Sequence, residues 1–280
     1  MSISRRNFLA AGLGGAGVVA LGAAGVASGV LPGGGVVRRL GGGSNPQAFV
    51  PDAPEGRVGL ERVYSAARGR EVGLFTAVPA GHGFGAGLPV CLVLHGASAT
   101  AADFRPFGLP RFLTAAVRSG VPPFVLAGAD GGLLRWEPDP ASDDDPQRML
   151  LEEMPQWLSE RGFDAQRVAA WGWSMGGYGA LRLAEVRRQP LRAVAAFSPA
   201  VAEGDPVFTA SAELADTPIG LWCGLDDRLL PAVRALAAAL PVPPAVRSYG
   251  EGAHTRVYWN SVTPAAFRFI GEALAASSKS

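Results

Sequence analysis

A serine between two glycines has the surroundings in this chain that best suit nucleophilic chemistry. Ser174 lies in Gly172-Trp-Ser-Met-Gly176, after an apolar run at residues 168–171 and before an Ala/Leu-rich run at residues 180–184. The Gly-x-Ser-x-Gly pattern between a strand and a helix indicates a sharp turn that presents the hydroxyl, and the glycines allow close approach of the backbone. The spacing therefore predicts acyl-transfer chemistry at Ser174. A glycine-rich loop is the alternative in a chain with 38 glycines.

A serine nucleophile needs a base, and the chain has only three histidines. His82 lies in a glycine-rich loop, and His95 precedes the serine in the chain. If the order is serine, acid, histidine, as in α/β hydrolases, His254 is the base. The alternative for His254 is a histidine in a surface loop.

The acid that orients the base should follow a strand, because chemistry in parallel sheets gathers at the carboxyl ends of strands. Asp226 and Asp227 both follow a buried strand predicted at residues 219–223, whereas Asp216 precedes that strand. We prefer Asp227, since Gly224 makes the turn three residues earlier and Asp226 then suits a turn or cap position. The pattern leaves Asp226 open.

Two backbone amides are candidates for the oxyanion hole. The amide of Met175 would lie at a helix N-terminus, where an unpaired N–H and the helix dipole favour negative charge. Ala97 follows the strand that ends near His95, in the position of the second donor. We expect His95 to shape this turn by packing and hydrogen bonding.

The alternation of strands and helices predicts an open α/β sheet with no separate cap domain. A continuous apolar run at residues 89–96 indicates a central strand buried on both faces. The other predicted strands cover residues 57–66, 70–78, 124–128, 168–171, 191–197, 219–223 and 246–249. The predicted helices cover residues 104–119, 149–161, 178–187, 230–240 and 264–275.

The N-terminal fifty residues differ in composition from the rest of the chain. Residues 1–31 carry the pair Arg5-Arg6 before an uncharged run, which is typical of a twin-arginine export signal with small residues near Ala27. The uncharged run is also long enough to cross a bilayer, so an uncleaved anchor is the alternative. Residues 32–56 resemble a Gly/Pro-rich linker, and residues 57–280 are the predicted catalytic domain. We therefore expect an extracellular or cell-envelope location.

Net charge and the two cysteines each support one further prediction. A net charge of +1 gives no electrostatic reason to bind nucleic acid or an anionic membrane surface. Cys91 and Cys223 lie in apolar runs that are not neighbouring strands in the predicted topology, so two buried free thiols are expected instead of a disulfide.

With these motifs the chain resembles the family named "putative esterase" within the α/β-hydrolase superfamily, which includes S-formylglutathione hydrolase-like esterases and the antigen 85 mycolyltransferases. The resemblance covers residues 57–275. It rests on Leu94-His-Gly96, Gly172-Trp-Ser-Met-Gly-Gly-Tyr-Gly-Ala-Leu181, Cys223-Gly-Leu-Asp-Asp227 and His254-Thr-Arg-Val-Tyr-Trp259. It implies a Ser174–Asp227–His254 triad that acts on acyl esters without metal or organic cofactor.

The loop after Asp130-Gly-Gly departs from exported relatives, which often carry an aromatic residue and a histidine there. Here residues 133–138 read Leu-Leu-Arg-Trp-Glu-Pro. We take Trp136, together with His95 and Trp173, as candidates to flank the substrate; Arg135 is a further candidate, and a surface loop is the alternative. The run Asp143-Asp-Asp145 is read as a solvated loop, with a calcium site as the alternative.

The sequence thus predicts an exported serine hydrolase that cleaves a small-molecule or lipid ester through an acyl-enzyme. Transfer of the acyl group to a carbohydrate is a second hypothesis, because the same triad serves either acceptor. A catalytically silent envelope-binding protein is a third, since folds can outlive their chemistry. Peptidase activity is a weaker fourth.

Overall fold

A computed structural model of the chain describes residues 47–97 and 99–276. Eight strands form one sheet in the order β1-β2-β4-β3-β5-β6-β7-β8. The strands are β1 (Val58–Ser65), β2 (Arg70–Ala77), β3 (Pro89–Leu94), β4 (Val125–Ala129), β5 (Asp164–Trp173), β6 (Val194–Phe197), β7 (Ile219–Gly224) and β8 (Val246–Gly250).

The sheet is mostly parallel, as the sequence predicts. β1 and β2 form an antiparallel hairpin, and β2 pairs antiparallel with β4. The remaining strands, β4, β3, β5, β6, β7 and β8 in sheet order, are mutually parallel. β4 lies on one side of β3, and β5, the next strand in the chain, lies on the other side. The carboxyl ends of β3 and β5 therefore meet where the strand order reverses, which is where ligands bind in open α/β sheets.

Within residues 47–97 and 99–276, five helices of seven or more residues cover the two faces of the sheet. They are α1 (Leu109–Arg118), α2 (Met154–Glu160), α3 (Met175–Val186), α4 (Leu230–Ala239) and α5 (Arg256–Ala275). Leu158, Leu181 and Val233 of α2, α3 and α4 share one buried cluster with Ala170 of β5. The next residue, Trp171, points to the other face, where its ring packs on Phe267 of α5.

The described residues of the domain form one compact unit, with no separate cap domain among them. The fold class predicted from the sequence is confirmed.

Most predicted helices shift by a few residues in the structure, and two differ in ways that have a physical cause. The helix expected at residues 104–119 is interrupted at Gly108, which has a φ of 98° and divides Phe104–Phe107 from α1. The last helix was expected to begin at Pro264, but α5 begins at Arg256, after the cap residue Thr255, and contains Pro264. Tertiary packing overrides the proline signal here, because the first turns of α5 carry the buried Tyr258 and Trp259.

The predicted linker ends earlier than expected. Residues 47–56 pack against the rest of the described domain: the ring of Phe49 lies edge-on to Phe112 at 5.9 Å, and the Asn260 amide donates to the carbonyl of Phe49. Ala53 is buried as well. The domain boundary near Gly56 is therefore wrong for residues 47–56. The export signal and the rest of the linker fall on residues 1–46, outside the described residues, and stay predictions.

Both cysteines are buried and free. Cys91 lies on β3 and Cys223 on β7, with β5 and β6 between them. Strands lie about 4.8 Å apart, so the two Cα atoms are separated by about 14 Å, twice the reach of a disulfide. Two free thiols are as predicted. Among residues 47–97 and 99–276, the helices lack the combination of length and apolar character that crossing a membrane requires.

Candidate active site

The turn between β5 and α3 holds Ser174 in a conformation that side-chain-bearing residues rarely adopt. Its φ is 55° and its ψ is −119°. The strain is offset by backbone hydrogen bonds on both sides: the Ser174 N–H donates to the carbonyl of Phe197 at 2.8 Å, and the Ala200 N–H donates to the Ser174 carbonyl at 2.9 Å. A strained turn that neighbouring segments hold in place is typical of a functional site.

The glycines around Ser174 are required by contact between backbones. A Cβ on Gly172 would overlap the carbonyl of Gly176, and a Cβ on Gly176 would overlap the carbonyl of Leu94. The turn therefore packs directly against the end of β3. No rearrangement of side chains could relieve these overlaps.

The structure brings Ser174, His254 and Asp227 together, although they are widely spaced in the chain. His254 Nε2 is 2.9 Å from Ser174 Oγ, and His254 Nδ1 is 2.8 Å from Asp227 Oδ2. With a proton on Nδ1 donated to the carboxylate, Nε2 is left to accept from the serine hydroxyl.

The elements that carry the acid and the base meet at the end of β7 and β8. Asp227 follows β7, and its backbone N–H donates to the Gly224 carbonyl at 3.1 Å. His254 lies just before α5, and the neighbouring segments are joined by the bond from the Asp226 N–H to the Gly252 carbonyl at 2.9 Å. Asp226 itself is exposed, so of the two neighbouring carboxylates Asp227 is the one that contacts the histidine.

Asp227 is a buried carboxylate with several hydrogen-bond donors. Its side chain has no exposed surface, and Oδ1 accepts from the Leu229 N–H at 2.9 Å. Burial by itself would raise the pKa of Asp227, but the hydrogen bonds and charge of His254, with the donors Ser198 and Leu229, hold it below the ordinary value. The group is therefore an anion at neutral pH and can stabilise a positive charge on His254.

The two predicted oxyanion donors lie at adjacent positions along the sheet edge. Met175 is the first residue of α3, where no intrahelical acceptor is available to its N–H. Ala97 is exposed in the turn after β3, and β3 pairs with β5 so that Leu94 lies opposite Gly172. Both amides thus belong to segments that flank Ser174, and their role as oxyanion donors stays a prediction.

Three residues expected to flank the substrate are instead in the interior. His95, Trp136 and Trp173 are 0%, 1% and 2% exposed. The expectation for these three is wrong. The loop after β4 folds back and inserts Trp136 under the turn, with its ring 4.9 Å from that of His95, and the ring of Trp173 packs against Phe104 and Phe107. Arg135, the other candidate from this loop, donates two hydrogen bonds to Asp205.

His95 shapes the turn after β3, as the sequence suggests. Its Nδ1 is 2.8 Å from the carbonyl of Gly96, and its Nε2 accepts from the Gly131 N–H at 2.8 Å. A neutral imidazole satisfies both contacts. Burial lowers the pKa of His95, which keeps the ring in this neutral form.

Two of the three carboxylates in the acidic run at residues 143–145 have structural contacts. Asp144 pairs with Arg68 and Arg70, and the Asp145 carboxylate accepts from the Arg148 N–H at 2.7 Å as a helix cap. The interpretation as a solvated loop is wrong for Asp144, whose side chain is 11% exposed. In the part of the chain that the structure describes, no group of three or more His, Cys, Asp or Glu residues could hold a metal ion.

Ser198 and Trp259 border the acid and the base, although neither is predicted to have a role from the sequence. Trp259 packs its ring edge-on against His254 at 5.0 Å, and its Nε1–H donates to Ser198 Oγ at 3.0 Å. A signal was present for Ser198: it directly follows the last residue of a predicted strand, at the sheet edge where the other candidate residues lie.

The sheet order and the serine at its strand-to-helix turn define the class of the protein, which is an α/β hydrolase. The family model described as "Putative esterase" matches residues 65–270. The chain therefore belongs to this esterase family, and its enzyme class is that of a carboxylesterase-type hydrolase.

Solved structures with the same fold are distant in sequence. A ferulic acid esterase is 21% identical, with a TM-score of 0.68 over 80% of this chain and 100% of its own. An S-formylglutathione hydrolase from Agrobacterium tumefaciens is 18% identical, with a TM-score of 0.66 over 80% of this chain and 98% of its own. MPT51 of Mycobacterium tuberculosis is 16% identical, with a TM-score of 0.55 over 78% of this chain and 99% of its own. A search of curated proteins found no match.

Proposed function

We propose that the protein hydrolyses carboxylic esters through a catalytic triad of Ser174, His254 and Asp227 and a covalent acyl-enzyme. The observation that carries the proposal is the continuous line of hydrogen bonds from Ser174 Oγ through both ring nitrogens of His254 to Asp227 Oδ2, at 2.9 and 2.8 Å. A serine alone is a weak nucleophile, and this line supplies the base and the group that orients it.

In the first half of the reaction, His254 Nε2 takes the proton from Ser174 as Oγ attacks the ester carbonyl. The carbonyl carbon becomes tetrahedral, and its oxygen gains a negative charge, which the Ala97 and Met175 amides stabilise by donating hydrogen bonds to it. The protonated His254, stabilised by the Asp227 carboxylate, then gives its proton to the departing alcohol. The bond to the alcohol breaks and the acyl group stays on Ser174.

In the second half, water replaces the alcohol. His254 removes a proton from the water as it attacks the acyl carbon, and the same amides stabilise the second tetrahedral intermediate. Its collapse releases the carboxylic acid, and the proton returns to Ser174 Oγ. The residues therefore end in their starting protonation states.

The experiment compares the full chain with its Ser174→Ala variant on 4-nitrophenyl esters of increasing acyl length. We expect kcat/KM to fall by at least about 1,000-fold, because the nucleophile is removed. The unfolding temperature should not fall, since alanine keeps the backbone contacts of the turn. A fluorophosphonate probe should add to wild-type Ser174, and mass spectrometry should find no adduct on the variant.

A matched control is Ser159→Ala, in which a serine exposed on α2 is removed. It should hydrolyse the esters and bind the probe at wild-type rates. If Ser174→Ala and the wild type have equal rates, the proposed function is wrong.

A further inference from the structure

Ser198 occupies a position where a glycine would be less strained. It follows β6, is fully buried and has a φ of 43°. Its backbone N–H donates to the carbonyl of Trp222 at 2.7 Å, which holds the turn in place. A side chain at a positive φ costs conformational energy, so its presence here suggests that the hydroxyl has a role that glycine could not fill.

Trp259 fixes the direction of the Ser198 hydroxyl. The indole N–H can only donate, and it occupies a lone pair of Ser198 Oγ at 3.0 Å. The hydroxyl proton of Ser198 is therefore directed away from the indole, to another acceptor. The same indole ring is edge-on to His254, with an angle of 86° between the ring planes.

The backbone places Ser198 beside the end of β7, since Phe197 is paired with Trp222 and the Ser198 N–H donates to the Trp222 carbonyl. Asp227 follows β7, and against the effect of burial, His254 and then Ser198 hold the pKa of its carboxylate below the ordinary value. The thiol of Cys223 is also close to Ser198, but burial raises its pKa to about 12 and keeps it neutral. A carboxylate is the stronger acceptor, so the Ser198 proton belongs to Asp227.

We propose that Ser198, oriented by Trp259, is a positioning residue for the reaction: its hydroxyl holds the Asp227 carboxylate in the orientation that meets His254 Nδ1. A buried carboxylate with one donor fewer can rotate about its side-chain bonds, and the imidazole that depends on it then loses its alignment with Ser174. The inference rests on the proposed function, because it assigns a supporting residue to the same triad.

The test uses Ser198→Gly and Ser198→Ala in the full chain. Both remove the hydroxyl, but glycine also relieves the positive φ. We expect kcat on a 4-nitrophenyl ester to fall on the order of 10–100-fold in both variants, with KM within about twofold of wild type. Wild-type kcat in a folded Ser198→Gly protein would overturn the proposal, since it would mean that only the backbone conformation matters.

A second variant separates positioning from stability. Trp259→Phe keeps an aromatic ring against His254 but removes the N–H that orients Ser198, and should lower kcat less than Ser198→Gly does. In the Ser198→Gly background the hydroxyl is already absent, so Trp259→Phe should lower kcat no further and should raise the unfolding temperature by removing an unpaired buried N–H. Fully additive losses in kcat would contradict a shared hydroxyl.

The outcomes for the two proposals can be told apart. If Ser174→Ala stays active, both the triad and the role of Ser198 are wrong. If Ser174→Ala is inactive while Ser198→Gly keeps wild-type kcat, the triad stands and only the positioning role is wrong.

Discussion

The nucleophile turn, residues 172–177, and the loop after β4, residues 131–137, border the same site but are held in place by different means. In the turn, backbone lies directly against backbone, and Gly172 and Gly176 leave no space for a Cβ. In the loop, side chains make the contacts. In the turn, any added side chain would collide with neighbouring backbone. In the loop, particular side chains hold the backbone in place.

Trp136 is the main anchor of the β4 loop. Its ring lies so close to Gly131 and Gly179 that a Cβ on either would be 2.5 Å from the indole. Its Nε1–H donates to the His95 carbonyl at 3.2 Å. The indole therefore joins the loop to the turn after β3 and to the first turns of α3, which carry the two predicted oxyanion donors.

Arg135 is a second anchor of the same loop. It donates to both oxygens of Asp205 at 3.1 and 2.8 Å, and its guanidinium lies 4.0 Å from the ring centroid of Tyr178. Arg135 and Trp136 both have positive φ values, of 55° and 65°. Side-chain contacts thus hold two strained residues in the loop, and each contact can be removed separately.

The largest effect should come from closing the space in the nucleophile turn. In Gly176→Ala the new Cβ overlaps the Leu94 carbonyl, so β3 and the turn must separate. We expect kcat/KM to fall by at least about 100-fold and the free energy of unfolding to fall by about 3 kcal/mol or more. The rate of ester hydrolysis measures the change in kcat/KM, and urea unfolding measures the change in the free energy of unfolding.

Gly250→Ala is the control for this variant, since its Cβ would meet only Tyr258 at 3.9 Å. Gly250→Ala should lower the free energy of unfolding by less than about 1 kcal/mol and should keep wild-type activity. Similar behaviour of Gly176→Ala and Gly250→Ala would show that the backbone contact in the turn is unimportant.

A smaller effect on activity, with a loss of stability similar to that of Gly176→Ala, should follow from removing the anchor of the β4 loop. Trp136→Ala leaves a cavity under the turn and should lower the free energy of unfolding by about 3–5 kcal/mol. Leu133→Ala, in the same loop but 67% exposed, should change it by less than about 0.5 kcal/mol. Equal urea midpoints for the two variants would contradict the role of Trp136.

The smallest effect should come from pH, through His95. Burial lowers the pKa of His95 in the folded protein, whereas the unfolded chain has the ordinary value of about 6.5. Below pH 6.5 the unfolded state binds more protons, so stability is complete above this pH and is lost below it, by up to about 1.4 kcal/mol per pH unit until the folded pKa is reached.

Urea unfolding between pH 7.5 and 5.5 tests this expectation. Carboxylates with lowered pKa values, such as Asp227 and Asp205, make the free energy of unfolding depend on pH only near and below their ordinary pKa of about 4, which is outside this range. His95→Gln should flatten the dependence. A wild-type protein with the same stability at both pH values would show that His95 is protonated in the fold without penalty.

The comparison also explains how much the sequence could predict. The nucleophile turn was predictable because backbone crowding requires glycine, and Gly172 and Gly176 are visible in the sequence. His254 followed by elimination, and Asp227 from its place after a strand. The sheet followed from continuous apolar runs, since a strand buried on both faces has no polar side.

The positions of the side-chain anchors were harder to predict from the sequence. Nothing local in the sequence indicates whether Trp136 points to solvent or under the turn, because its contacts with His95 and Gly179 come from segments about 40 residues away on either side in the chain. Pro264 suggested a helix start, but packing of the preceding turns outweighs the loss of one hydrogen bond. The composition of residues 47–56 suggested a linker, while the contact of Phe49 with Phe112 is a tertiary interaction.

The separation of Cys91 and Cys223 by two strands has a consequence for what stabilises the domain. Because no covalent link between sulfurs contributes to the described fold, its stability needs no oxidant and no isomerase that rearranges sulfur pairs. The packed sheet therefore depends on burial of its apolar strands and not on oxidation of these two thiols.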